Sequence, residues 1–173
     1  MPVVHSKRFF EHLNERRSQK YTSTRIMGED PWLVGMLGEY ALAEYFGAEQ
    51  DLRNKPNGDN GIDLQILDAD NAWVDLDSKG STIADYLIVP CRKLRPTTIY
   101  VLVKVDLEEM DGTCLGWQPG HVLQELEPQP GYDGDVFKMP RGKTEAMSLL
   151  RRFYAGYWRH YGLKAQPERK AYD

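Results

Sequence analysis

An α+β domain, with a central mixed β-sheet flanked by helices, is the architecture that the sequence predicts. Three observations predict it. Helical periodicity dominates the first 46 residues, strand patterning dominates from residue 62 to about 118, and helical spacing returns near the end. Residues 62–67 and 73–79 both alternate apolar and polar side chains, as half-buried strands do. Residues 98–105 form a β-branched run, the pattern of a buried strand. The chain has 173 residues, enough for one domain and too few for two ordinary ones.

In chain order, residues 6–19 read as a helix, with Phe9, Phe10 and Leu13 at helical spacing. Residues 20–30 read as a loop. Asp30 followed by Pro31 is a helix start, a capping side chain and then proline at the first helical position. The helix runs to about Phe46, with Leu33, Leu37, Tyr40 and Ala41 along one stripe, and Gly47 is its stop. Residues 48–61 are polar and turn-rich. The strands at 62–67 and 73–79 form an antiparallel hairpin across residues 68–71. A short strand is expected at 85–89, ended by Pro90. Residues 113–118 pair with 98–105 across an Asp111-Gly112 turn. A short helix near 120–126 follows. Residues 127–142, with Pro128, Pro130 and Pro140, are expected to be irregular. A last helix is expected from about Thr144 to Tyr161. The whole, 1–173, is read as one domain: a basic N-terminal helix and loop (1–30), a core (31–126) and a basic C-terminal helix (138–173).

Hydrophobic residues are 41% and charged residues 28%, a globular composition. No run approaches the roughly 18 apolar residues of a membrane span, and the N-terminus lacks a secretory h-region. Two cysteines make neither a disulfide framework nor a four-ligand zinc site, so a reducing, cytoplasmic setting is expected, with Cys91 and Cys114 as buried thiols. Net charge is −4, which excludes nucleic-acid binding by bulk charge. The charge is nevertheless segregated. Residues 1–25 hold six bases against two acids and residues 138–173 nine against three, both with interleaved aromatics. Residues 105–135 hold eight acids and no Lys or Arg. Basic and aromatic residues together hold phosphates and stack on bases, although solvated helix faces look the same. The four histidines are scattered. Asp68 does not open an EF-hand loop, because its sixth and twelfth positions are Trp73 and Lys79. Phosphate-binding glycine motifs are absent.

The chemistry-bearing residues are Glu39, Asp63 and Asp77-Ser78-Lys79. Strand periodicity places Asp75, Asp77 and Lys79 on one face of their strand, with Val74 and Leu76 on the other. Asp63 and Gln65 share a face of the preceding strand, so pairing the two strands lets Asp63, Asp77 and Lys79 converge. Acids gathered on a covered face need a counter-charge or a metal, and magnesium takes oxygen ligands and keeps waters.

Residues 35–47, with Glu39 inside a helix, Gly58-Asp59-Asn60-Gly61-Ile62-Asp63-Leu64 at a strand start, and Asp77-Ser78-Lys79 on the next strand resemble, in that order, the motifs of the PD-(D/E)XK nuclease superfamily. The two aspartates stand 14 positions apart, a hairpin spacing. Residues 98–105 with Leu115-Gly116-Trp117 resemble later strands of small phage and bacterial members, so the likeness covers roughly residues 33–118. It departs from the pattern in having Ile62 before Asp63, not proline, and Asp75 is an extra acid, either a partner of Lys79 or a further ligand. The Q-x-x-x-Y element of some exonuclease branches is not found.

The resemblance implies a restriction-endonuclease-like core and a metal-dependent nuclease acting on nucleic acid, DNA first. It implies that Asp63, Asp77 and the Ser78 carbonyl hold Mg2+, which Mn2+ replaces, with Glu39 direct or through water. It gives Glu39, Asp63, Asp77 and Lys79 as catalytic, Lys79 positioning the attacking water and offsetting charge. The basic ends add attraction for nucleic acid, and a homodimer or larger complex fits so small a chain. The alternatives are a nuclease-fold protein that binds nucleic acid without cutting, and a phage-encoded protein-binding or inhibitor module whose acidic block 105–135 mimics nucleic acid.

Overall fold

The computed structural model describes residues 31–47, 62–68 and 72–160. The expected helix 6–19, the loop 20–30, the turn-rich segment 48–61 and the end from 161 onward lie outside the described residues.

Among the described residues the protein is α+β, with a mixed sheet as its centre. Helix α1 (Pro31–Tyr45) begins at its proline and ends where expected. Gly47 takes φ +66° and its N–H donates to the Glu44 carbonyl at 2.9 Å, a left-handed C-terminal cap that glycine makes without strain. Strands β1 (Leu64–Asp68) and β2 (Trp73–Ser81) pair antiparallel, Leu64 opposite Leu76 and Gln65 opposite Asp75. β2 then runs parallel to β4 (Ile99–Asp106), and β4 pairs antiparallel with β5 (Asp111–Pro119). The other edge of β1 is taken by β7 (Tyr154–His160), giving the order β5-β4-β2-β1-β7.

The link from β2 to β4 contains β3 (Tyr86–Pro90), which leaves the main sheet and pairs antiparallel with β6 (Val136–Pro140) in a two-stranded ribbon. Alternation along β4 divides the core in two. Ile99, Val101 and Val103 pack with Leu37 and Leu42 of α1, and with Leu150 of α3 (Met147–Phe153), on one face. Tyr100 and Leu102 pack with Leu87 and Val89 of β3 and Phe137 and Met139 of β6 on the other. A one-turn helix α2 (Gly120–Leu123) buries Leu123 in that second core. The sheet is thus covered by helices on one side and by the ribbon on the other.

Three expectations are corrected. The Asp111-Gly112 dipeptide is not the hairpin turn. The turn is 107–110, where the Asp106 carboxylate accepts the Glu108 and Glu109 N–H groups at 3.0 Å each and Met110 takes φ +55°. Gly112 instead lies inside β5 against α1. A Cβ there would meet the Ala41 Cβ at 2.8 Å and the Leu37 carbonyl at 3.0 Å, so glycine is present for close packing. Residues 127–142 are not wholly irregular, because the buried–half-buried alternation of Phe137, Lys138 and Met139 makes β6. Finally, the basic C-terminal helix is short. α3 ends at Phe153 and the chain turns into β7. The segment Tyr154–His160 is aromatic and contains Gly156, a composition that favours strand over helix. The otherwise open edge of β1 supplies its partner.

Candidate functional site

β1 starts at Leu64, opposite Leu76, while β2 continues to Ser81. Residues 77–81 of β2 therefore run beyond the end of β1, with β4 alongside through Ser81 opposite Lys104. Asp63 stands at that step. Its N–H donates to the Leu76 carbonyl at 2.8 Å. Its Oδ2 accepts two hydrogen bonds from Ser78, from the backbone N–H and from the hydroxyl, both 2.6 Å. The carboxylate thus takes a backbone donor that the sheet ladder has left, and the two bonds fix its direction.

Leu76, Ser78 and Gly80 face α1, and Asp75, Asp77 and Lys79 face the ribbon side. Asp77 is buried at 8% exposure, and its Oδ1 accepts from the Lys79 ammonium. Burial of this carboxylate is tolerable because the ammonium compensates it. Lys79 also stands over the ring of Tyr100, 5.5 Å from the centroid, which holds it between a carboxylate and an aromatic face. Tyr100 is itself locked in place. Its hydroxyl accepts the Arg95 N–H at 2.8 Å and donates to the Lys93 carbonyl at 3.3 Å. Burial, with a smaller push from the Asp77 charge, raises its pKa above 10.0, so the phenol stays neutral. Asp75 takes a different partner, the Gln65 amide, at 2.6 Å.

Helix α1 comes closest to β2 beside these residues. A Cβ on Gly38 would lie 3.3 Å from the Gly80 Cα and 3.5 Å from the Ser78 Oγ. Glu39, half-buried, is the next residue on that helix. The structure therefore brings Asp63 onto Ser78 and Lys79 onto Asp77, and packs the turn of helix that carries Glu39 against the same stretch of β2. Tyr100, Gly38 and Gly80 were not singled out from the sequence. The lone aromatic in the β-branched run 98–105 was the available signal for Tyr100.

Asp63, Asp77 and the Ser78 carbonyl are hard oxygen donors on one strand pair, the type that magnesium takes, and one or two carboxylates are the usual protein share of its ligands. Among the described residues no group of three or more His, Cys, Asp or Glu converges as a cation site. The donors fit magnesium in kind, at the low end in number.

Both cysteines are thiols and half-buried, a correction to the expectation of full burial. Burial, with the Glu44 charge, pushes the Cys114 thiol up from 9.0 to about 12. The unfolded chain loses this proton near 9.0 and the folded chain only near 12. Stability from this group is therefore intact below pH 9 and lost as pH rises toward 12. Cys114→Ala is expected to flatten that alkaline fall in a urea-denaturation series. In the native protein at pH 8, Ellman's reagent should leave Cys114 unreacted until denaturant is added.

Among the described residues no helix is long and apolar enough to cross a membrane. No protein-family model, no curated protein and no solved structure matches the chain.

Proposed function

We propose that the protein is a metal-dependent phosphodiester hydrolase, a nuclease acting on DNA, with Asp63, Asp77, Lys79 and Glu39 as its working residues. The carrying observation is the step at the end of β1. There the Asp63 carboxylate is bonded at 2.6 Å to Ser78, the residue that stands in the chain between Asp77 and its ion-paired Lys79, whose side chains take the other face of β2. The resemblance to the PD-(D/E)XK order is the second support.

A bound Mg2+ would supply Lewis acidity and a water of lowered pKa, with Asp63, Asp77 and the Ser78 carbonyl holding it. The rest falls to the chain's own groups. Ser78 holds Asp63 in one orientation, so the carboxylate costs no reorganisation when substrate arrives. Lys79, ordered by Asp77 and the Tyr100 ring, offsets negative charge on the phosphoryl oxygens in the transition state. Glu39 contributes a further carboxylate from the helix side. The acidic-mimic alternative finds less support. The acids of 105–135 divide between the β4–β5 turn and the segment from α2 to β6, at opposite ends of β5. Eight strand steps separate those ends by about 26 Å.

The test is cleavage of linear and circular duplex DNA, single-stranded DNA and RNA, with magnesium, manganese or chelator. Metal-dependent cutting that disappears in Asp63→Ala is the expected result. No cutting under any metal, together with no manganese binding by calorimetry, overturns the reading.

A further inference from the structure

We infer that the outer face of the β3–β6 ribbon is a docking surface for single-stranded nucleic acid. This rests on the nuclease reading for its purpose, since it names the strand state of the substrate, but its physical grounds are separate.

The two strands are built alike. Each ends in proline, Pro90 or Pro140, and each runs into a single 3-10 turn with two bases, Cys91-Arg92-Lys93 and Arg141-Gly142-Lys143. Because β3 and β6 are antiparallel, Tyr86 opposite Pro140 and Pro90 opposite Val136, the two basic turns lie at opposite ends of the ribbon. Each end also exposes a tyrosine. Tyr86, 41% exposed, stands at the Arg141–Lys143 end, and Tyr132, 64% exposed, precedes β6 at the Arg92–Lys93 end. Between them the outward positions are Ile88, 40% exposed, and Lys138, whose ammonium lies 4.0 Å from the Tyr86 ring centroid. The inward positions, Leu87, Val89, Phe137 and Met139, fill the core beneath.

Charge selects the partner. The segments 86–93 and 136–143 hold five bases and no acid, in a chain of net charge −4. Nearby acids are Asp85, Asp133, which pairs with Arg92, and Asp135. A face of that sign repels a second copy of itself and attracts a polyanion. Four strand steps separate the two basic ends by about 13 Å, which suits a chain of several phosphates rather than one. Exposed tyrosines beside phosphate-binding bases are what unpaired bases stack on, whereas duplex DNA keeps its base faces covered. One end of the ribbon lies next to the candidate site in the chain, since the Arg141 N–H donates to the Asp85 carbonyl at 2.8 Å, six residues after Lys79.

The test is fluorescence anisotropy with a labelled short oligothymidylate, its duplex with oligodeoxyadenylate, and anionic phosphatidylserine vesicles, all in chelator so that nothing is cut. Oligothymidylate is expected to bind more tightly than duplex. Tyr86→Ala with Tyr132→Ala should weaken it on the order of tenfold or more. Lys138→Ala with Arg141→Ala should lower the slope of log affinity on log salt by about 1.4, because two phosphate-neutralising charges are removed. All four side chains are at least partly exposed, and matching thermal melts confirm that the variants fold. Equal binding of duplex, no effect of either pair, or binding to vesicles but not to oligothymidylate overturns the proposal. A protein that binds in this way yet never cuts would refute the nuclease reading alone.

Discussion

Under the proposed function, replacing Asp77 by Leu and Lys79 by Met together is expected to leave the protein folded and to lower metal-dependent cleavage by at least about 10²-fold. The cleavage loss is the size expected when a group that stabilises transition-state charge is removed, with a carboxylate proposed to hold the metal lost in the same variant. The folding result follows from burial. Asp77 and Lys79 have side-chain exposures of 11% and 25%, so desolvating the pair costs much of what their attraction returns. An apolar pair of similar volume against Tyr100 recovers that cost. Lys79→Met alone is different, because it strands the Asp77 carboxylate in a covered site. Removal of one partner from a fully buried pair costs about 3–5 kcal/mol. With Lys79 partly in water, about 2 kcal/mol is the expectation here. Thermal melts should therefore rank the double variant above Lys79→Met, while both fail to cut. A pair that existed for stability alone would give the reverse, a double variant that melts low and still cuts. Retained cleavage in the double variant would end the assignment.

What was legible in the sequence was local. Helix α1, the β1–β2 hairpin and β4 carry their own signals: a proline start with a glycine stop, alternation of period two, and a run rich in β-branched residues. That Asp63 stands at the strand end opposite Asp77 in the backbone register follows from the hairpin alone. What was not legible depended on distant partners. β7 pairs where it does because the edge of β1 is open to it, and the aromatic composition of 154–160 favours a strand without naming that partner. β6 is identified by its pairing with β3, almost fifty residues earlier, amid prolines that locally argue for a loop. Gly112 reads as a turn residue until Ala41 and the Leu37 carbonyl are placed against it. At the site, the sequence supplied Asp77 and Lys79 on one face but not the Ser78 grip on Asp63. That grip needs β1 to stop before β2 does, and strand ends are the least determined part of any pattern. Asp75 shows the same limit: the sequence offered Lys79 or a metal, and the structure gives it Gln65.

Gly80→Ala should lower stability by about 2 kcal/mol, and should cost cleavage beyond what that loss explains. A Cβ at this position would lie 2.5 Å from the Val34 carbonyl oxygen of α1, a backbone atom that cannot rotate aside. The strand and the helix must therefore separate, and overpacking of this kind costs about 1–3 kcal/mol. Two glycines on the helix itself calibrate the effect. Gly35 has nothing within 4 Å of its would-be Cβ, so Gly35→Ala is expected to stabilise by about 0.5–1 kcal/mol through helix propensity. Gly38 meets the Gly80 Cα at 3.3 Å, so Gly38→Ala falls between the two. Urea denaturation at a pH below 9 ranks the three. If Gly80→Ala unfolded like the wild type, α1 would not be seated on β2 as described. The activity prediction follows from the same contact. Glu39 follows Gly38 and rides on the helix, while Asp63, Asp77 and Lys79 ride on the sheet. Forcing helix and sheet apart changes the distance from Glu39 to the other carboxylates without touching any of them. Under the proposed function, a folded Gly80→Ala protein, assayed at a temperature where it is fully native, should then cut slowly and need more manganese to do so, because the carboxylate proposed to join the metal from the helix side has been moved. Normal cleavage and normal metal dependence in that folded variant would remove Glu39 from the site and leave Asp63, Asp77 and Lys79 to act alone.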